Sequence, residues 1–317
     1  MPRAETGCDD GHKLLLKHLA NHWPQLGEES RRLLHGRGRT LPGLEAITVD
    51  WFAPVLFITQ FAPVAIDWQA FQQALVQELP QSVAVVLLQR RHLPEAPSEC
   101  LFGELSPPYY ASRAGLRFDL QFGQQQNLGF FLDMEPGRRW LERQAAGKRV
   151  LNLFAFTCAF SVVALSAGAS SVVNVDMSSA ALNRGRSNHS LNGLDDGRAA
   201  YLKENILKSW GRIRRKGPYD IIIFDPPSFQ RGSFVAAKDY AKLIRRIPEL
   251  AAEQAEILSC LNAPELMADF IPGLFAEDLP QAELIGRLPG HPDFPDAEPE
   301  RALKLFHYHY RQAPTTG

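Results

Sequence analysis

Two arrangements of apolar residues alternate along the chain. One is a short, near-continuous run rich in β-branched and aromatic residues. The other spaces its apolar positions three and four apart. The first predicts strands buried on both faces, the second helices laid over them. The second half alternates regularly. Arg149-Val150-Leu151-Asn152-Leu153-Phe154 reads as a strand, Ala155-Phe156-Thr157-Cys158-Ala159 as a small-residue turn, and 160–167 as a helix. Val172–Val175 is a second strand ending on Asp176. Ser178-Ser179 then caps a helix that stops at Asn192-Gly193. Residues 200–203 form a third strand with Glu204-Asn205-Ile206 at its end. Tyr219–Phe224 forms a fourth, which delivers Asp225-Pro226-Pro227-Ser228-Phe229. Tyr240, Leu243, Ile244, Ile247 and Leu250 mark an amphipathic helix. Residues 256–261, 282–288 and 302–310 complete seven strands, the final one antiparallel. The expected fold class is α/β, with helices covering a mostly parallel sheet.

The first half is patterned differently. Leu14-Leu15-Leu16 and Leu19 give a helical stripe ending near Trp23-Pro24. Residues 46–52 and 55–61 flank Ala53-Pro54 as a hairpin or neighbouring strands. Asp67 caps a helix bearing Phe71, Ala74, Leu75 and Leu79. Residues 83–88, 100–105 and 116–122 read as further strands between proline-punctuated loops. The expected organisation is an N-terminal helical and basic segment at 1–45, a smaller α+β docking domain at 46–122, and the seven-stranded domain at 123–317. Gln124-Gln125-Gln126-Asn127 forms a polar joint.

At 317 residues and 45% hydrophobic, the chain can bury two cores. A net charge of −1 removes any global basic field, so nucleic-acid binding would need local patches. Two segments qualify: Arg31-Arg32 with His35-Gly36-Arg37-Gly38-Arg39, expected as a mobile or sharply turned phosphate-contacting loop, and Arg212 with Arg214, Arg215 and Lys216 at a helix end. Cys8, Cys100, Cys158 and Cys260 have no metal-type spacing and read as free thiols of a reducing cytosol. Cys8 with His12, His18 and His22 fits no compact ligand set, so no metal is expected. No apolar run has signal or transmembrane length, so the expected location is cytoplasmic, away from any membrane. His307 and His309 read as polar residues of an edge strand.

The chemistry concentrates between Lys148 and Phe229. Strand, turn, helix, strand and acid form the grammar of a nucleotide-binding unit. In it the acid about 20 residues after the turn accepts ribose hydroxyls. Ligands sit at the carboxyl ends of strands, so the turn, Asp176 and Asp225 should converge. The turn contains no glycine, which disfavours the close approach of a dinucleotide pyrophosphate. S-adenosylmethionine carries no phosphate and suits such a turn. The two prolines after Asp225 stiffen a corner that can hold a planar substrate between Asp225 and Phe229.

These residues carry a resemblance. Gly129-Phe130-Phe131-Leu132-Asp133, Val150–Phe154, Asn174-Val175-Asp176-Met177-Ser178, Asn188-His189-Ser190-Leu191-Asn192-Gly193 and Asp225-Pro226-Pro227-Ser228-Phe229 resemble bacterial class I methyltransferases of the large-subunit ribosomal RNA methyltransferase I and K type. The resemblance implies a seven-stranded Rossmann-like sheet, S-adenosylmethionine as cofactor and a ribosomal RNA base as substrate. It implies that Phe131 packs on the cofactor and Asp133 meets its ammonium group. It places Phe154, Ala155, Thr157, Asp176, Met177, Asn205, Ile206 and Asp225 around the rest of the cofactor. Asp225 and the Pro226 carbonyl would orient the base, with Pro227 stiffening the corner and Phe229 stacking. Two departures stand out. Phe156-Thr157-Cys158-Ala159-Phe160 replaces the family's Tyr-Thr-Gly-Gly-Phe, and Asn205 stands where an Asp is common. Cys260 is read either as the thiolate needed for cytosine C5 methylation or as a core residue. In the cytosine-methylating branch a Ser-Cys-Ser run carries that thiolate, and here Ser259-Cys260 is followed by Leu261-Asn262. Two other readings remain: a degenerate methyltransferase fold that docks RNA or protein, and a methyltransferase of a non-RNA substrate.

Overall fold

A computed structural model of the chain describes residues 9–123, 127–230 and 233–313; Cys8 and Gln124–Gln126 lie outside them. The chain divides into two compact units. One comprises the described residues up to Leu132 together with Pro292–Ala297; the other runs Asp133–His291 and from Glu298 onward.

In the first unit, β1 (Arg31–His35), β2 (Ile47–Phe52), β3 (Val55–Gln60), β4 (Val85–Arg90) and β5 (Ser98–Phe102) form a sheet in that order. β2 and β3 form the expected hairpin, and β3 and β4 are parallel, joined across α2 (Trp68–Glu78). Asp67 caps α2 by accepting from the Gln69 and Ala70 amides at 3.0 Å. One face of the sheet, with Val49, Trp51, Ile58 and Val86, packs Phe71 and Leu75 of α2 and Leu15, Leu16 and Leu19 of α1 (Asp9–Ala20). A separate hairpin pairs β6 (Tyr109–Arg113) with β7 (Leu116–Leu120).

One expectation is corrected here and another narrowed. Residues before 46 are not a separate segment: Leu15, Leu16 and Leu19 of α1 enter the core and β1 is an outer strand. Of the two forms expected for the Arg31–Arg39 stretch, it takes the sharply turned one, with a tight turn at Gly36–Gly38. Arg31 pairs with Asp293 at 2.9 Å and Arg32 with Asp50 at 2.5 Å. The glycines there serve close approach. A Cβ on Gly36 would lie 1.7 Å from the Leu44 carbonyl oxygen, and one on Gly38 would lie 1.8 Å from that of Pro295.

The second unit holds β8 (Arg149–Leu153), β9 (Ser171–Asp176), β10 (Ala199–Lys203), β11 (Tyr219–Phe224), β14 (Ala251–Leu261), β15 (Ala282–Arg287) and β16 (Lys304–Arg311); β12 (Phe229–Gln230) and β13 (Phe234–Val235) form a separate short ladder. The sheet order is β10-β9-β8-β11-β14-β16-β15, parallel except along β16. Alternate residues explain the continuous apolar runs. Leu151, Leu153, Ile222, Phe224 and Ile257 pack one face, with Tyr240 and Leu243 of α7 (Ala236–Ile244). Val150, Ile221, Ile223, Leu258 and Cys260 pack the other, with Trp140 and Leu141 of α3 (Glu135–Gln144) and Phe160 and Ala164 of α4 (Ala159–Ser166). β16 is not an edge. It lies between β14 and β15, and His307 and His309 both bond Glu256 on β14, at 2.6 and 2.8 Å. The chain runs outward from β8 to β10 and returns to β11 on β8's other side, so the strand order reverses between β8 and β11. At such a reversal the diverging loops leave a crevice.

Candidate functional site

β8 ends at Leu153, and the turn beyond it is bent by non-glycine residues. Phe154, Phe156 and Cys158 have φ of +59°, +46° and +61°. Left-handed backbone costs an L-residue roughly 1–2 kcal/mol each, so the turn needs external support. Ala155 donates its amide to the Val175 carbonyl at 3.0 Å, and the Cys158 amide bonds the Ala155 carbonyl at 2.7 Å. Asn188, on α5 (Ser179–Leu191), donates to the Thr157 carbonyl at 3.0 Å. Beneath lies a buried polar chain. Asn152 donates to Asn174 at 2.9 Å, Asn174 to Ser161 at 3.0 Å, and Ser161 meets His189 Nε2 at 2.9 Å. His189 Nδ1 donates to the Gly185 carbonyl at 2.7 Å. Burial, above all, holds the His189 pKa below its usual value, so Nε2 is left to accept the Ser161 proton. The asparagines in β8 and β9 thus tie both strands to the helices behind the turn.

Asp176, the last residue of β9, braces the same turn. Its Oδ2 accepts from the Phe156 amide at 2.9 Å and its Oδ1 from the Ser178 amide at 2.8 Å. The carboxylate borders an open cleft of about 290 Å³, lined also by Phe154, Met177, Asn205, Ile206, Leu207, Gln230, Ser233 and Phe234. Ala155 and Thr157 are buried and do not line it. Leu207, Gln230, Ser233 and Phe234 are the lining residues that sequence reasoning missed. Phe234 stands edge-on to Phe154 at 5.1 Å between ring centres. Its ladder, β12 with β13, is two residues long on each side, too short to show a period.

Asp225 follows β11 and is not among the residues that line this cleft; its electrostatic setting is different. Burial, the neighbouring Asp133 carboxylate and, in opposition, the Arg138 guanidinium bring its pKa up to about 7. Arg138 is itself buried, 3.8 Å from Glu135. Pro226 is buried, whereas Phe229 is 65% exposed on β12. Phe131 falls in the first unit, its ring 43% exposed. Cys260 is fully buried in the core under α3 and α4; burial and the charges of Asp225 and Asp133 push its thiol pKa far up. The Tyr240 hydroxyl bonds the Cys260 carbonyl at 2.9 Å. Of the second basic patch, Arg212 bonds Glu204 and Arg214 lies 4.0 Å from Glu249. Among the described residues no group of His, Cys, Asp or Glu could hold a metal ion, and no helix is long and apolar enough to cross a membrane.

The cleft suits a nucleoside with an uncharged linkage. A carboxylate at a strand end, the Asn205 amide and apolar walls from Phe154, Met177, Ile206 and Phe234 offer partners for hydroxyls and a planar ring. A Klebsiella pneumoniae ribosomal RNA large subunit methyltransferase I is 34% identical over 216 residues, which is 64% of this chain and 52% of that protein. Its namesake from Shewanella amazonensis is 31% identical over 202 residues, 61% of this chain and 50% of that protein. The chain therefore spans about half the length of these curated relatives. Among solved structures, SMU.776 with SAH bound superposes with a TM-score of 0.83 at 24% identity, covering 97% of this chain and 83% of that one. A SAM-dependent methyltransferase from Agrobacterium tumefaciens gives 0.63 at 19% identity, covering 84% and 87%. At these identities the superpositions speak for the fold alone. The sequence match that decides the matter extends over residues 31–309, both units included, and by it the chain belongs to the S-adenosylmethionine-dependent methyltransferase family.

Proposed function

We propose that the protein methylates a base of large-subunit ribosomal RNA, with S-adenosylmethionine as the methyl donor. The observation that carries this reading is the pairing of two strand-end carboxylates, Asp176 on the cleft and Asp225 before two prolines, on either side of the strand-order reversal. The cofactor would supply an activated methyl group. Asp176 would accept hydrogen bonds from its ribose hydroxyls, while Asn205 and Ile206 meet the adenine. Phe131 and Asp133 would complete the cofactor's surroundings, as the family resemblance implies. An in-line methyl transfer asks the protein mainly for position and for a site that tolerates changing charge. Asp225 and the Pro226 carbonyl would accept from the base's N–H groups, with Phe229 exposed to stack on it. The base must first leave its stack, and a flipped base is read in this manner. Arg37 and Arg39, on the first unit, would meet the RNA backbone. Under this reading the protein works where ribosomes are assembled, in the cytoplasm.

Mapping methylated positions of ribosomal RNA from a deletion strain, with and without the restored gene, tests the proposal. One base should lose its methyl group and regain it on complementation. Unchanged methylation throughout would rule out this substrate. A binding module without activity is the second reading, favoured by the glycine-free turn. Calorimetric titration with S-adenosylmethionine separates the two, because a module has no need to bind it.

A further inference from the structure

α5 contains Gly185 in its interior, where glycine is a poor helix residue compared with alanine. No unusual backbone angle demands it. The space beside it does. A Cβ built on Gly185 would lie 2.3 Å from the Cys158 Sγ, 2.9 Å from the Cys158 Cβ and 3.5 Å from the Thr157 carbonyl carbon. Real atoms do not approach at the first two distances, and Cys158 is fully buried with nowhere to retreat. Cys158 is also the left-handed residue at the start of α4, with φ of +61°. Side chain and backbone therefore lock together. The thiol points into the notch that Gly185 leaves, and this seating holds a corner that glycine would adopt unaided. Next to Gly185 in the fold, Asn188 grips the Thr157 carbonyl, and Asp176 grips the Phe156 amide from the other side.

We propose that Gly185, which does not line the cleft, is a positioning residue for the cofactor: its missing side chain seats Cys158 and thereby sets the turn from Phe154 to Cys158. The inference rests on the cofactor reading of that turn. The turn's missing glycine has in effect moved to the helix behind it. A Cβ at position 185 would displace Cys158, and with it the turn that Cys158 ends. Removing the Cys158 side chain would make room for that Cβ, since the next atom, the Thr157 carbonyl carbon, stands at ordinary contact distance.

The experiment is a double-mutant cycle on the full chain: wild type, Gly185→Ala, Cys158→Gly, and both. S-adenosylhomocysteine is the calorimetric probe, used well below each variant's melting temperature. Gly185→Ala should bind at least about tenfold more weakly. The double variant should bind more tightly than Gly185→Ala and come within about threefold of Cys158→Gly alone, so that the two changes are strongly non-additive. A second measurement needs no cofactor. Native alkylation by N-ethylmaleimide, resolved by peptide, should leave Cys158 unmodified in the wild type and label it in Gly185→Ala, with Cys260 protected in both. Wild-type affinity in Gly185→Ala with Cys158 still protected would overturn the proposal. So would a double variant that binds no better than Gly185→Ala. If Gly185→Ala fails to fold, recovery of folding and binding in the double variant supports the interlock, and failure to recover refutes it. A wild type that binds no S-adenosylhomocysteine would sink the cofactor reading itself. Alkylation and melting would then still decide whether the two residues interlock.

Discussion

The ends of β9 and β11 both carry an aspartate, and the two are prepared in opposite ways. Asp176 is satisfied by hydrogen bonds: two backbone amides hold its two oxygens. Asp225 is loaded by burial first and by the Asp133 carboxylate second, against the opposing Arg138 guanidinium, and its pKa is pushed up to about 7. The first arrangement fixes geometry before any ligand arrives. The second keeps a group poised between two protonation states, as acid–base and substrate-orienting sites require. Under the proposed function, damage at β9 should loosen cofactor binding, whereas damage at β11 should slow turnover.

The largest expected effect is therefore at Asp225. Asp225→Asn should lower turnover about 10²–10³-fold, the range for losing one aligned polar partner of a transition state. Its affinity for S-adenosylhomocysteine should change little. If the ionised form orients the base, wild-type activity rises with pH through about 7 and then levels. A flat profile from pH 6 to 8 would refute that role. The same shift carries a stability signature. The folded chain holds this proton above the unfolded carboxyl's pKa, so Asp225's contribution to stability falls as pH rises from about 4 to about 7. Asp225→Asn should consequently melt higher than wild type at pH 8 and show no such gain at pH 4.

Next comes Asp176. Asp176→Ala should weaken S-adenosylmethionine binding at least about tenfold, or 1.4 kcal/mol. Part of that loss belongs to the turn, because the same oxygens hold Phe156 and Ser178. Asp176→Asn keeps one acceptor and should fall between. Wild-type affinity in a folded Asp176→Ala would remove Asp176 from the site and dissolve the contrast with Asp225.

How far the contrast was legible in the sequence follows from which signals have a period. The central strands are buried on both faces, so their apolar runs are continuous and their ends, Asp176 and Asp225, can be located by counting. The ladder that brings Phe234 and Gln230 to the cleft is two residues long on each strand and leaves no pattern. Glycine is informative only together with its surroundings. Gly36 and Gly38 allowed either a mobile or a sharply turned basic loop, and close backbone approach selects the turn. The glycine-free turn is held from outside itself, by Asp176, Asn188 and the space beside Gly185. Support that comes from another element cannot be read from a local motif.

A smaller effect is expected on the first unit. Arg31 and Arg32 are committed to carboxylates, and Arg37 lies over the Phe61 ring at 4.6 Å. Replacing Arg37 and Arg39 by alanine should weaken RNA binding several-fold and reduce the salt dependence by about two phosphate contacts. Cofactor affinity should be unaffected. An unchanged salt slope would mean that the RNA is held elsewhere.

The smallest expected effect is at Cys260, and it tests whether the β11 side of the site needs a nucleophile. Methylation of carbon 5 of cytosine requires a thiolate to add at carbon 6, because carbon 5 is not nucleophilic enough unaided. Cys260 is one strand away from Asp225, close enough for the acid's charge to raise its pKa. The same acid makes the thiolate harder to form. Full burial adds to that penalty, and Leu258, Ile223 and Phe160 share its core cluster. A catalytic thiol needs an electropositive, accessible setting, and this is the reverse. Cys260→Ala should therefore leave turnover within about threefold of wild type and cost roughly 1 kcal/mol of stability, the packing of one small side chain. RNA carrying 5-fluorocytosine should form no denaturation-resistant adduct with the wild type. A trapped adduct that vanishes in Cys260→Ala, with a normal melting temperature, would make Cys260 the nucleophile. Asp225 would then share the reacting centre with a covalent partner instead of orienting the base alone.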